Sequence, residues 1–283
     1  MGKSLWKPLR TIERHRLTQA RLAAHYAAQW LARTARAYID PTADDSHTNL
    51  GWDRSLGGLT THPLPDGSRL ALRIADLTLR LVGPNESELS LEDRSDADIR
   101  AWLKSRLNAK GLDAFALDKP LPYDMPASAI ASGGHYLLDD IAAALGELSG
   151  WYDNASRALD NVRHELVARG LRAPPVRCWP HHFDLDTLIY LSARPDNIRT
   201  MGVGFSPGDE YYHEPYFYVS IYPAPAVTTL PALPIGHWHS HDFTAAILTA
   251  GRILDESDQG AAVETFLRSA THTISALSMQ AAE

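Results

Sequence analysis

Hydrophobic residues recur with two different periods along this chain, and the switches between them mark its elements. In ERHRLTQARLAAHYAAQWLARTARAYI, Leu22, Tyr26 and Trp30 return every four residues, which gives a helix one apolar stripe. Pro41 ends it, because the residue before a proline avoids helical dihedrals. Leu70, Leu72 and Ile74 then alternate with polar neighbours, as do Leu77, Leu79 and Leu81, the period of half-buried strands. Pro65-Asp66-Gly67 and Gly83-Pro84-Asn85 are the turns around them. Ser95 is a candidate N-cap for a helix that carries Ile99, Leu103 and Leu107 and closes at Gly111.

A proline-rich connector, 118–134, precedes the most regular pattern. From Leu138 through Ile141, Leu145, Leu148 and Tyr152 to Leu166, apolar residues are spaced by three and four in turn. That 3.5-residue period predicts a helix whose seam lies along another helix, either in the core or as a homodimer through residues 138–166. Gly146 and Gly150 predict a kink or break near its middle. VRCWPHHFDLDTLIYLS, RTMGVGFSPGDE and EPYFYVSIYPA then read as strands, the second with a bulge. Pro195-Asp196-Asn197 reads as a turn, and a helix is expected from about Asp242. The fold class is therefore α+β, an antiparallel sheet with packed helices. The order predicts two related α-β-β-β-α halves, 1–117 and 135–283, that share one sheet.

Composition narrows the function classes. The chain has 283 residues, 45% hydrophobic and 22% charged, with a formal charge of −7. No basic run offers a nucleic-acid footprint, and no stretch approaches the roughly 18 apolar residues that span a membrane. The basic N-terminus lacks the apolar segment of a signal peptide, so a cytoplasmic location is expected. The single cysteine, Cys178, excludes an intrachain disulfide and a Cys-rich zinc site. Beside a tryptophan it reads as a small buried hydrophobe rather than a nucleophile.

Histidine carries the candidate chemistry. Six of the thirteen lie in three segments of the second half, each with a carboxylate and aromatics: WPHHFDLD, EYYHEPYFY and GHWHSHDF. In the last, His237 and His239 fall on one side of an extended chain and form a candidate metal pair for Zn, Mn or Fe. The competing reading makes Ser240 or Asp242 the N-cap of a following helix, with no metal at all. On a strand, His182, Asp184 and Asp186 would line a polar face opposite Phe183 and Leu185. The same alternation sets Tyr216, Tyr218 and Ser220 against Phe217 and Val219. The candidate ligand-binding set is His181, His182, Asp184, His213, Glu214, Tyr216 and Tyr218. No H-E-x-x-H is present, no glutamate follows the H-x-H at cupin spacing, and the serine and aspartate of an isopeptidase-type metalloprotease are missing.

WPHHFDLDTLIYLS, MGVGFSPGDEYYHEPYFYVSIYP, LPALPIGHWHSHDFTAAIL and, upstream, GLTTHPLPDGSRLAL resemble the uncharacterised bacterial family designated domain of unknown function 5996. The likeness covers most of the chain and is most specific across 179–248. It implies a bacterial protein whose hallmarks are Trp179–Asp184, Glu214–Tyr218 and Gly236–His239, and it brings no activity. The chain departs from the family at LGWDRSLGG, where a tryptophan- and histidine-rich stretch is usual.

Three functions remain open at this point. One is a small-molecule-binding protein with a His/Tyr-lined pocket. The second is a metal-dependent, hydrolase-like enzyme that uses His237 and His239, with Asp184 or Glu214 as ligand or base. The third is a scaffold in which these groups satisfy one another.

Overall fold

The computed structural model describes residues 6–192, 198–225 and 230–280. Pro195-Asp196-Asn197 lies outside the described residues. The chain is α+β, with antiparallel sheets in two compact units that are discontinuous in sequence. The N-unit holds 12–149 and 177–183, and the C-unit holds residues up to Thr11, 150–176 and 184 onward. The expected connector, 118–134, therefore lies inside the N-unit, and there are two sheets rather than one shared sheet.

In the N-unit, α1 (Arg14–Tyr38) is followed by a five-stranded meander. Its strands are β1 (Gly51–Asp53), β2 (Gly58–Thr60), β3 (Arg69–Arg73), β4 (Thr78–Val82) and β5 (Ser87–Ser90). Leu70 and Leu72 of β3 pair in register with Leu81 and Leu79 of β4, and all four are buried. Helix α2 (Asp96–Ala109) starts where the sequence places its cap. The Ser95 side chain accepts from the Asp98 amide, and Asp98 accepts in return from the Ser95 backbone and hydroxyl.

Helix α3 (Ala142–Ala168) begins in the N-unit and continues in the C-unit. It runs unbroken through Gly146 and Gly150. A Cβ would find room at both positions, with nothing within 4 Å of Gly146 and Leu9 Cδ2 at 3.5 Å from Gly150, so neither glycine marks a close approach. The heptad residues Leu145, Leu148, Tyr152, Leu159, Val162 and Leu166 are all buried by this chain itself.

Strand β6 (Arg177–Trp179) belongs to the N-unit, where Cys178 and Leu50 exchange both backbone hydrogen bonds at 2.8 Å. The C-unit contains β7 (Asp184–Tyr190), β8 (Thr200–Ser206), β9 (Tyr216–Tyr222), β10 (His237–His239) and β11 (Ala245–Thr249). These five run in the order β10-β11-β9-β8-β7, each pair antiparallel. A short helix α4 (Ala250–Leu254) and the long α5 (Gln259–Gln280) follow. The expected helix from Asp242 is thus a strand first. Ala245–Thr249 lies between two partner strands, and those ladders outweigh a pattern short enough to suit either element. Thr249 holds the N-cap position of α4 without a side-chain capping bond, while Asp242 sits in a bend at φ +66°. The expected bulge in β8 is also absent, since its register with β7 and β9 is continuous.

One face of the C-unit sheet is apolar. Leu185, Ile189, Met201, Val203, Phe205, Phe217, Val219, Ala246 and Leu248 are fully buried on it. Trp151 and Tyr152 of α3 pack on Phe205, the tryptophan stacked at 6.1 Å. Residues 6–11 fasten this unit: Asn154 exchanges hydrogen bonds with the Lys7 backbone, and Gln259 does so with Leu9. No helix among the described residues is long and apolar enough to cross a membrane.

Ser95→Ala removes the hydroxyl that accepts from the Asp98 amide and donates to its carboxylate, leaving only the backbone half of the α2 capping box. It should cost about 1 kcal/mol, read from the urea unfolding midpoint at unchanged slope.

Candidate functional site

The opposite face of the C-unit sheet is polar, and its composition follows from the period of two. Register places Asp186, Gly204, Tyr218, Ile247 and His237 in one row across β7, β8, β9, β11 and β10. The neighbouring row adds Gly202, Ser220, Ala245 and His239. Tyr216 and Ser206 pair on the other side of the first row. Buried Tyr216, Ala245 and Ile247 form an apolar floor, with Tyr212, Tyr218 and Phe243 packed against it.

The glycines of MGVGF explain how the face holds a tyrosine flat. A Cβ at Gly204 would lie 2.3 Å from Cζ of Tyr218 and 2.4 Å from its hydroxyl oxygen, so the ring occupies the space that any other residue would fill. Lying across Gly204, the Tyr218 hydroxyl reaches β7 and donates to Oδ2 of Asp184 at 2.6 Å. Burial first, and then the carboxylates of Asp184 and Asp186, hold the Tyr218 phenol well above the usual tyrosine range. Gly202 has a milder role, because its Cβ would meet the Ser220 hydroxyl at 2.6 Å, a group free to rotate.

Loop 207–215 carries the next tyrosines over the sheet edge. Asp209 organises it: Oδ1 accepts from the Tyr211 and Tyr212 amides at 2.9 and 3.0 Å, and Oδ2 accepts from the Tyr216 hydroxyl. The Tyr212 and Tyr216 rings lie 4.9 Å apart, and Tyr216 and Tyr218 lie 6.0 Å apart. Burial pushes the Tyr212 and Tyr216 phenols above the usual tyrosine range as well, with Asp209 adding to the effect. These phenols remain neutral hydrogen-bonding groups at ordinary pH.

Tyr212 also joins the tyrosines to the histidine pair. Its hydroxyl oxygen is 2.9 Å from His237 Nε2 and 3.2 Å from His239 Nδ1. His239 Nε2 lies 2.6 Å from the His241 carbonyl, which only accepts, so that nitrogen carries the proton. In the neutral ring His239 Nδ1 is then bare and accepts from the Tyr212 hydroxyl. It follows that His237 donates from Nε2, and a directed chain runs His237, Tyr212, His239, His241. Burial lowers the basicity of His237, and His239 adds to that.

The remaining sequence candidates are placed elsewhere. His213 is exposed and bonds through Nδ1 to the Asp209 carbonyl at 3.1 Å. Glu214 accepts from the Gly251 amide at 2.6 Å and so caps the start of α4. His181 and His182 fall in the N-unit, in a turn rather than on the strand. The cause is a turn closed by the Phe183 amide on the Trp179 carbonyl at 2.7 Å, with Phe183 at φ +60°. His182 therefore does not continue the alternation of Asp184 and Asp186. Among the described residues, no three His, Cys, Asp or Glu side chains are arranged to hold a metal ion.

That N-unit turn rests on groups missing from the sequence reading. The Pro180 carbonyl accepts from His25 Nε2 and from Gln29 Nε2, both at 2.8 Å, and the Tyr123 hydroxyl donates to Gln29 at 2.7 Å. The His25 ring stacks on Phe183 at 5.0 Å. Burial lowers His25 to about 4, opposed by the Pro180 hydrogen bond and aided by Arg21, His182 and His181. His25, Gln29 and Tyr123 left only helical spacing and a proline-rich context as signals. Tyr212 and Asp209 left none beyond the tyrosine-rich run and a Ser-Pro-Gly-Asp turn.

The chain matches no protein-family model, no curated protein and no solved structure.

Gly204→Ala should lift the Tyr218 ring off the sheet and cost about 2 kcal/mol by overpacking. Gly202→Ala should cost clearly less, and equal losses in chemical unfolding would count against the ring-on-glycine contact. His25 gives a pH prediction with a definite sign. Its proton affinity falls on folding, so the unfolded chain binds more protons between pH 6.5 and about 4. Its stabilising neutral state is complete above pH 6.5 and is lost as pH falls towards 4, by about 3 kcal/mol in total. A His25→Gln variant should flatten that part of the stability–pH curve.

Proposed function

We propose that the protein binds a small polar ligand on the tyrosine–histidine–aspartate face of the C-unit. The observation that carries this reading is the registered row Asp186, Gly204, Tyr218, Ile247, His237. Five strands contribute in turn a carboxylate, a glycine on which the tyrosine ring rests, a phenol, an apolar floor and an imidazole. Such a mixture of apolar surface with a few convergent polar groups is what small-molecule recognition uses. It contrasts with the other face of the same sheet, where Leu185, Val203, Phe205, Phe217, Val219 and Leu248 are fully buried.

The polar groups also offer complementary chemistry. Neutral phenols both donate and accept, the aspartates accept, and the imidazoles do either according to tautomer. A ligand with several hydroxyl, amine or amide groups would find partners in Tyr212, Tyr218, Asp184, Asp186 and His237. The likeness to the uncharacterised bacterial family is held as part of this proposal, because its hallmark stretches Glu214–Tyr218 and Gly236–His239 supply β9 and β10 of the face.

A thermal-shift screen of amines, carboxylic acids, sugars and nucleosides tests the reading. At a hundred times its dissociation constant, one compound class should raise the melting temperature by about 5 °C. Tyr218→Phe, which keeps the ring and removes only the hydroxyl, should abolish most of that shift. A screen without any stabilising class, or a shift that survives Tyr218→Phe together with His237→Ala, would contradict it.

A further inference from the structure

We infer that His237, His239 and Tyr212 form a binding site for a divalent transition-metal ion, with two imidazole nitrogens and one phenolate oxygen as ligands. This goes beyond the ligand-binding reading and does not depend on it. The three side chains converge on one point from two different segments. β10 supplies the histidines, two residues apart on one side of the strand, and loop 207–215 supplies the tyrosine.

The separations suit a shared ion. Two ligands each about 2.1 Å from zinc, at angles between tetrahedral and right, stand about 3.0–3.4 Å apart. Here Tyr212 oxygen is 2.9 Å from His237 Nε2 and 3.2 Å from His239 Nδ1. An ion about 2.1 Å along the nitrogen lone pairs takes the place of the two hydrogen bonds, so the Tyr212 hydroxyl must draw aside by about 1 Å to become the third ligand.

Orientation supports the same assignment. A metal-binding imidazole characteristically donates its second ring N–H to a carbonyl or carboxylate, which fixes the tautomer and aims the free lone pair. His239 does this with the His241 carbonyl at 2.6 Å, and its Nδ1 lone pair faces Tyr212. The His239 ring is held further by Phe243, stacked at 4.3 Å, and by Tyr211 edge-on at 5.3 Å. Binding requires His237 to carry its proton on Nδ1 instead of Nε2. It also releases the Tyr212 phenol proton to water as the metal–oxygen bond forms.

The nitrogen-rich, single-oxygen donor set suits zinc and its first-row neighbours rather than calcium or magnesium. Three protein ligands leave at least one position for water or for a ligand on the adjoining face. The third donor explains why histidine and carboxylate alone form no site: it is a phenol, which the H-x-H pattern does not announce.

Zinc titration of the full chain by calorimetry is the test, beside His237→Ala, His239→Ala and Tyr212→Phe, each checked for folding by circular dichroism. The expected result is one equivalent bound by the wild type, with affinity at least tenfold weaker in each variant. A second readout uses only wild-type protein, so it stands even where a variant fails to fold. In long-range proton–nitrogen spectra with zinc, two of the thirteen histidines should become ligated, one through Nε2 and one through Nδ1. Absence of stoichiometric binding would overturn the proposal. So would binding that survives Tyr212→Phe undiminished, or ligation by any other histidines.

Discussion

A tyrosine ring lying on a glycine is the contact on which the polar face of the C-unit depends. Strand β8 gives up its side chain at Gly204, and Tyr218 of β9 uses the space to cross the sheet and reach Asp184 of β7. Without that vacancy the ring would have to stand upright, as aromatic side chains on sheets ordinarily do. Laid flat, it fills the space over Gly204 and keeps its hydroxyl bonded to Asp184. Tyr216 and Tyr212 then follow as neighbours, and Tyr212 reaches the histidine pair. One continuous array of aromatic and polar groups results from one missing Cβ.

The two faces of this sheet divide stability from chemistry. Phe205, Phe217, Val219 and Leu248 bury the apolar side, with Trp151 and Tyr152 packed on Phe205. Each fully buried side chain of this kind contributes about 1.5–3 kcal/mol of hydrophobic transfer energy. That leaves the other face able to hold aspartate, histidine and half-buried phenols at moderate cost. Asp209 makes the arrangement more rigid, since one carboxylate holds two backbone amides and the Tyr216 hydroxyl together.

Much of this was legible in the sequence where a strict period governed. Alternation separated Tyr216 and Tyr218 from Phe217 and Val219, and the Ser95 cap, the α1 stripe and the β3–β4 leucines lie where their patterns placed them. Periodicity failed where tertiary partners decide. TAAILT suits a helix or a strand, and only its two neighbouring strands make it β11. WPHHFD looked continuous, but Phe183 enters the left-handed region and ends the alternation, which sends His181 and His182 to the other unit. The glycines of MGVGF suggest a bulge because their purpose lies on the adjacent strand. Tyr212 escaped because a loop residue has no period at all, and its partners are 25 and 27 positions away.

The ligand face is tested most directly by a fragment-binding experiment on protein with isotope-labelled tyrosine rings. Polar fragments that bind should shift the signals of Tyr212, Tyr216 and Tyr218 together, while most of the eleven tyrosines stay in place. Fragments that bind and leave those three rings unmoved would show that the ligand face is elsewhere.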